Sequence, residues 1–335
     1  MGEFCYGTGF DRVARHMIAA CHPEFEVHMY AMRYEGPGEY VDPGVQLHAY
    51  RGDISDRYGT RGLAEVVNSV QPQLLVIYYD LPFLRYQLEA LRLINYRLPI
   101  IAYPALDGRI NKRRKLISSL GKLHTCVWFT DFARDQVHEM MREQPSLLDR
   151  RVRQEVIYHG LDTSVFHPLE DDRQRARTQA IKQVFPHLPD AENAFIVMNG
   201  NRAYPRKRHD LTLRAFAAFA QHKPDSVYLY LHLGSCIPDE RKRLQAGAEA
   251  LGIGARLLMG PPLEDGPVDD ARLNLYYNAT DVGITTTAGE GWGLVSCEHG
   301  AAGIPQIVPR HTSLPEIWQD AALYLEPGPP VGTAA

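Results

Sequence analysis

The sequence predicts two α/β domains in tandem, each built on a parallel sheet covered by helices on both faces. Three observations predict this. The 335 residues are too many for one typical domain and comfortable for two. Short apolar runs alternate with amphipathic segments from one end to the other, and that alternation breaks once, near the middle of the chain.

The elements follow in order. Gly7-Thr8-Gly9-Phe10 has the character of a loop between a first strand and a helix, yet almost no strand precedes it, so the first strand is expected to be missing. Strand candidates are Leu74–Tyr79, Pro99–Tyr103, Thr125–Phe129 and Glu155–Tyr158. After the break they resume at Phe195–Asn199, Val227–Leu233, Ala255–Met259, Val282–Thr286 and Gln306–Val308. These runs are rich in Val, Ile, Leu and Tyr without strict alternation, as expected of parallel strands buried on both sides. Between them, Leu213, Phe216, Ala217 and Ala220 have the spacing of a packed helix face. Strand and helix in turn imply right-handed crossovers and doubly wound sheets. The break falls at Phe166-His167-Pro168-Leu169, followed by the polar stretch 170–177, which sets an expected first domain of 1–168 and a second of 169–335. Two such sheets facing each other across a cleft would hold ligands at the carboxyl ends of their strands. The proline-rich, featureless end 327–335 reads as a truncated second domain.

Composition narrows the function. A hydrophobic content of 45%, a charged content of 23% and a formal net charge of -4 describe an ordinary globular protein and argue against a nucleic-acid partner. Cys5, Cys21, Cys126, Cys236 and Cys297 are scattered, with no C-x-x-C pair, which favours reduced thiols over a disulfide frame or a zinc site. Met1-Gly2-Glu3 lacks the basic start and apolar stretch of a secretory leader, so the expectation is a cytoplasmic protein. The segment 109–123 carries Arg109, Lys112, Arg113, Arg114, Lys115 and Lys122 among Leu116, Ile117, Leu120 and Leu123. It reads either as a helix with one packed and one solvated face, the simpler reading, or as a peripheral contact with an anionic membrane.

Two stretches carry chemistry. Gly289-Glu290-Gly291-Trp292-Gly293-Leu294-Val295-Ser296-Cys297-Glu298 follows a strand and opens a helix. Its glycines allow close backbone approach, and the free amides of a helix start suit a phosphate. Glu290 and Glu298, separated by seven residues, would face different parts of one elongated ligand, and carboxylates accept well from sugar hydroxyls. The second stretch is the loop Asn199-Gly200-Asn201-Arg202-Ala203-Tyr204-Pro205-Arg206-Lys207-Arg208, where Arg202 and Lys207 could clamp a diphosphate. Alone the loop reads equally as solvated; beside the glutamate segment it reads as an anion site. A dinucleotide fingerprint is rejected because Arg12 stands where a third glycine belongs, and no Gly-x-Ser-x-Gly elbow is present. His16, His22, His209 and His311 lack metal-ligand spacing, so no metal site is expected.

With these residues in view the chain resembles glycosyltransferase family 4, the retaining enzymes of GT-B fold. The resemblance rests on Glu290 and Glu298, on Gly303-Ile304-Pro305 and Ser313-Leu314-Pro315-Glu316 after them, and on Asp281 before them. Arg202 and Lys207, His159-Gly160-Leu161-Asp162 with Phe166 and Pro168, and the loop at Gly7–Ala14 complete it across nearly the whole chain. It implies two Rossmann-like domains, with the acceptor side first and the nucleotide sugar second. It implies that Glu298 holds the ribose, Glu290 the transferred sugar, and the backbone of Gly291, Trp292, Gly293, Leu294 and Val295 the sugar and phosphates. Gly9 would approach the diphosphate, Arg202 and Lys207 would stabilise the leaving group in place of a metal, and Pro261 and Pro262 would lie near the base. No cofactor is implied beyond the nucleoside-diphosphate sugar as co-substrate, and the acceptor is a glycan, a lipid-linked glycan or a small molecule. One departure stands out. Where many relatives carry a histidine after the fourth strand, this chain reads Tyr103-Pro104-Ala105-Leu106-Asp107-Gly108, leaving Asp107 as the ionisable candidate for a catalytic role. The alternative from another class is a binding module of the same fold that holds a nucleotide sugar or carbohydrate without turnover.

Overall fold

A computed structural model of the chain describes residues 1–3, 8–21, 24–32, 34, 44–50, 54–56, 58–95, 97–108, 120–143, 152–188, 190–234, 238–261 and 268–328. The chain divides into two compact units, Met1–His159 and Gly160–Ala335.

The first unit holds β1 (Gly2–Glu3), α1 (Gly9–Cys21), β2 (His28–Met32), β3 (Gln46–Tyr50), α2 (Thr60–Val70), β4 (Leu75–Asp80), α3 (Leu81–Leu93), β5 (Ile100–Ala105), β6 (Thr125–Trp128), α4 (Asp131–Glu143) and β7 (Arg153–Val156). Its strands form one seven-stranded sheet in the order β3-β2-β1-β4-β5-β6-β7, and every neighbouring pair is parallel. The strand expected to be missing is therefore present. Gly2 and Glu3 pair with Ala31 and Met32, and Gly2 also pairs with Tyr78, so two residues suffice to bridge the halves of the sheet. Gly2 is needed there, because a Cβ would lie 2.7 Å from the Tyr78 carbonyl oxygen. The core gathers Tyr30, Met32, Leu63, Ile77, Leu84, Ala102 and Trp128, with the Trp128 indole nitrogen donating to Gln154 Oε1 at 3.1 Å.

The second unit holds α5 (Arg173–Val184), β8 (Phe195–Asn199), α6 (His209–Ala220), β9 (Val227–Leu231), α7 (Pro238–Ala250), β10 (Leu257–Met259), α8 (Asp270–Asn278), β11 (Val282–Ile284), α9 (Leu294–Ala301), β12 (Gln306–Pro309), α10 (Leu314–Trp318) and β13 (Leu323–Leu325). Its six strands run parallel in the order β10-β9-β8-β11-β12-β13. Alternate residues of β8 point to opposite faces, and both faces are covered. Ile196 and Met198 pack with Tyr230, Tyr277 and Ala180, while Val197 packs with Leu229, Leu213 and Phe216. The helix expected around Leu213 is α6, with Leu213, Phe216 and Ala220 buried. Asp172 caps α5 by accepting from the amides of Gln174 at 2.9 Å and Arg175 at 3.2 Å, and Asp269 caps α8 by accepting from Arg272.

The division precedes the boundary drawn at Pro168–Leu169 because the segment between them is built into the second unit. Phe166 is buried against Tyr277, and the amides of His167 and Leu169 donate to Asn274 and Asn278 of α8. Asp281, at the start of β11, also has a structural place. Its carboxylate accepts from Arg177 Nε at 2.8 Å and from the Ile196 amide at 2.8 Å, tying α5 to the sheet. Among the described residues no helix is long and apolar enough to cross a membrane. Most of the basic segment 109–123 lies outside the described residues.

Candidate functional site

In a doubly wound sheet, ligands bind at the carboxyl ends of the strands where the strand order reverses. In the second unit that point lies between β8 and β11, which are neighbours in the sheet. The two stretches singled out in the sequence leave the sheet from these two strands: 200–208 follows β8, and 285–293 follows β11.

Buried polar side chains fasten the two loops together. Asn199 Nδ2 donates to Thr212 Oγ1 at 2.9 Å, and Asn201 Nδ2 donates to Thr285 Oγ1 at 3.0 Å. Thr286 Oγ1 donates to the Arg208 carbonyl at 2.8 Å, and Thr287 Oγ1 to the Gly289 carbonyl at 2.8 Å. This explains why β11 stops at Ile284 rather than running through Thr286 as expected: the three threonines serve the loops instead of a strand. His209 lies within 3.1 Å of the Asn201 carbonyl through Nε2, so Nε2 carries the hydrogen. Burial lowers its pKa to about 4, and it stays neutral.

Glu290 stands where the loops meet. Lys207 Nζ pairs with its Oε1, and Arg206 Nη1 lies 3.4 Å from Oε2. Its amide donates to Thr312 Oγ1 at 3.1 Å, and its carbonyl accepts from Ser313 Oγ at 2.8 Å, which gives the Ser-Leu-Pro-Glu segment a clear role. Burial pushes the Glu290 carboxyl up, but the Lys207 ammonium and Arg206 guanidinium pull harder, and its pKa lies below the ordinary value. Gly291 is buried beside it, while Trp292, Gly293, Leu294 and Val295 are half-buried. Gly293 caps α9 at φ +99°, where a Cβ would also lie 3.0 Å from Leu314 Cδ2. The amides of Leu294 and Val295 form the open start of that helix. About one turn on, Glu298 is 1% exposed, and its Oε2 accepts from the Tyr277 hydroxyl at 2.9 Å. Gly200 brings the other loop against this helix, since a Cβ there would lie 2.8 Å from Val295 Cγ1.

The expected cation pair, Arg202 and Lys207, has two different surroundings. Lys207 is in place, but Arg202 is exposed and makes no hydrogen bond or ion pair with the described residues; Arg206 takes the position on Glu290. Pro261 is half-buried after β10, and Pro262 lies outside the described residues.

The chain is similar in sequence and in fold to known proteins. Residues 181–328 match the family model described as Glycosyl transferases group 1. Over 160 residues the chain is 30% identical to a D-inositol 3-phosphate glycosyltransferase of Acidothermus cellulolyticus, covering 46% of this chain and 32% of that protein. The chain spans between a third and a half of the length of the curated relatives it matches. Among solved structures it superposes on a sucrose-phosphate synthase of Thermosynechococcus elongatus with a TM-score of 0.71 at 17% identity, covering 95% of this chain and 79% of the other. It superposes on Anabaena HepE, crystallised with UDP and glucose, with a TM-score of 0.67 at 17% identity, covering 97% and 85%. The fold is GT-B. The sequence matches are to glycosyltransferases and extend over part of the chain.

Two further sequence-predicted positions of this GT-B chain lie in its first unit. Gly9 is the first residue of α1, in the connection that leaves β1 where that sheet's strand order reverses. Asp107 is half-buried just beyond β5. Near it, Tyr103 donates its hydroxyl hydrogen to the Ile157 carbonyl at 2.8 Å and so must accept from His159 Nδ1 at 2.9 Å. Burial raises the Tyr103 pKa and lowers that of His159 to about 4, so this pair is neutral. Three site residues escaped sequence reasoning. Arg206 was one of four cations in a short loop, and nothing in the order of charges shows which one folds back. Tyr277 reads as a core aromatic in Leu275-Tyr276-Tyr277, and only its hydroxyl on Glu298 reveals the second role. Thr312 has no signal of its own beyond lying next to Ser313.

Proposed function

We propose that this protein transfers a sugar from a nucleoside-diphosphate sugar to an acceptor hydroxyl, with retention of anomeric configuration and without a metal ion. The observation that carries the reading is the meeting of two cations, one carboxylate and an open helix start at the reversal point between β8 and β11. The amides that open α9 suit a phosphate. Lys207, with the exposed Arg202, supplies positive charge where the departing nucleoside diphosphate accumulates negative charge. Glu290 accepts from hydroxyls of the transferred sugar, the backbone from Gly291 to Val295 lines sugar and phosphates, and Glu298 accepts from the ribose. Departure of the leaving group gives an oxocarbenium-like sugar, which the acceptor attacks from the face the diphosphate has left. The acceptor side falls to the first unit, where Asp107 is the ionisable group offered to the acceptor hydroxyl.

Its curated relatives are named for D-inositol 3-phosphate, and HepE was crystallised with UDP and glucose, so these define the first panel. The experiment is a thermal-shift screen of uridine and guanosine diphosphates and their sugars, with and without EDTA. Donors that shift the melting point are then incubated with inositol 3-phosphate, simple sugars and lipid-linked glycans, and the anomeric signal of any product is followed by NMR. A ligand bound only by the folded state raises the melting point. A chelator-insensitive shift with turnover and retained configuration supports the reading. Binding without transfer or hydrolysis points to a binding module; inverted product or a strict metal requirement removes that part of the proposal.

A further inference from the structure

We propose that Arg206 is a positioning residue of this site, locking the loop ahead of α9 so that Glu290 presents its carboxylate to the sugar; the inference rests on the donor-site reading above. Arg206 grips the neighbouring loop twice. Through its main chain, its carbonyl accepts from the Ala288 amide at 2.7 Å. Through its side chain, Nη1 donates to the Gly289 carbonyl and lies 3.4 Å from Glu290 Oε2. Three consecutive residues, Ala288 to Glu290, are thereby held by one residue of the facing loop.

Consecutive residues usually diverge. Here the single 3-10 turn Pro205–Lys207 brings Arg206 and Lys207 to one carboxylate, one cation on each oxygen. The division of labour follows from their surroundings. Lys207 is 15% exposed and reaches Glu290 alone, as a point charge. Arg206 sets one guanidinium nitrogen, Nη1, between a carbonyl and a carboxylate, and the planar group fixes the directions of that nitrogen's two hydrogens, which a shorter, freely rotating ammonium would not. With that nitrogen engaged by Gly289 and Glu290, the charge of Arg206 is directed at the protein, and Arg202 remains the exposed cation. Glu290 is held from its other side by Thr312 and Ser313, so Arg206 closes the remaining side of the cage.

The test uses the full chain with Arg206→Lys and Arg206→Gln, each alone and combined with Glu290→Gln. Amide exchange of 286–293 in the unliganded protein reads the lock directly. Faster exchange there, with exchange in the rest of the chain unchanged, is expected for both variants, and only Arg206→Gln, which loses one of the Glu290 ion pairs, should show a small drop in melting point. In turnover, kcat with a sugar nucleotide is expected to fall about 10–100-fold, the usual cost of a misplaced reacting geometry. Affinity for the bare nucleoside diphosphate should hold within about twofold, and adding Arg206→Lys to Glu290→Gln should cost less than about twofold more, because both act through one carboxylate. Unchanged exchange overturns the lock. A matching loss of bare nucleoside-diphosphate affinity, or full additivity with Glu290→Gln, overturns the positioning role in favour of direct contact with the diphosphate. A general loss of melting point with exchange rising everywhere makes Arg206 merely structural. Should the unaltered chain neither bind nor turn over any sugar nucleotide, the donor-site reading fails and the sugar-positioning role with it, while the exchange result still decides whether the lock exists.

Discussion

Glu290 and Glu298 are seven residues apart in sequence and differ sharply in what surrounds them. Glu298 is enclosed and takes a neutral hydroxyl from Tyr277, whereas Glu290 is held by Lys207 and Arg206. The depressed pKa of Glu290 makes its ion pairs a pH-dependent source of stability. On acidification the unfolded chain, with its ordinary glutamate pKa of about 4.3, takes up the proton first. The stabilisation is therefore complete above that value and is lost as the pH falls through the lower folded pKa. Glu290→Gln is accordingly expected to be less stable than the parent at pH 7, because it strands two cations. The difference should shrink as the pH drops below about 4.3. Urea unfolding at neutral and acid pH measures it, and a difference that ignores pH would show that the carboxylate's charge contributes nothing. The glutamate spacing was legible in the sequence because both residues lie on one continuous segment. The partner cation was not, because Arg202 and Arg206 differ only in how a loop folds back.

At the scale of elements, the start of α9 and the anchoring of β11 each hinge on one residue. Gly293→Ala would force a side chain into a left-handed conformation and against Leu314. A cost of about 1–2 kcal/mol is expected from the backbone alone, read as a lower melting point together with weaker nucleotide binding. A variant that keeps both would show that the cap tolerates a Cβ. Asp281→Asn should be more damaging, because it leaves the Arg177 guanidinium, 5% exposed, without its countercharge. Breaking a buried pair in this way typically costs about 3–5 kcal/mol, and chemical denaturation checks it. Which elements could be read in advance follows the same physics. Most strands from β4 to β12 announce themselves as apolar runs, because both faces of a parallel sheet are covered. The edge strand β7, Arg-Gln-Glu-Val at Arg153–Val156, does not, and the sequence pattern places it two residues later, at Glu155–Tyr158. β1 is only two residues long, β2 is His-Met-Tyr-Ala-Met, β3 is an edge strand with exposed positions, and β13 is an edge strand of only three residues, Leu-Tyr-Leu, too short to stand out.

The largest scale is that of two units, each with its own parallel sheet and its own buried clusters. The second unit contains both glutamates, all four cations of the 202–208 loop and the open helix start, so these parts of the proposed donor site all lie in one unit. Its boundary is also physically defined. Phe166 is buried in the second unit's core, and the amides of His167 and Leu169 are satisfied by Asn274 and Asn278, so a fragment beginning at Leu169 would lose both. The prediction is that residues 160–335 fold cooperatively on their own and bind nucleoside diphosphates, but transfer no sugar because the acceptor side is gone. Residues 169–335 should be markedly less stable, since removing Phe166 empties a buried aromatic site, at a cost of about 3–5 kcal/mol for such a deletion. Circular dichroism during urea unfolding compares the two fragments, and titration calorimetry reads the binding. Equal stability would move the boundary back to Leu169. A well-folded 160–335 fragment that binds no nucleotide, when the full chain does, would mean that the donor site needs residues of the first unit as well.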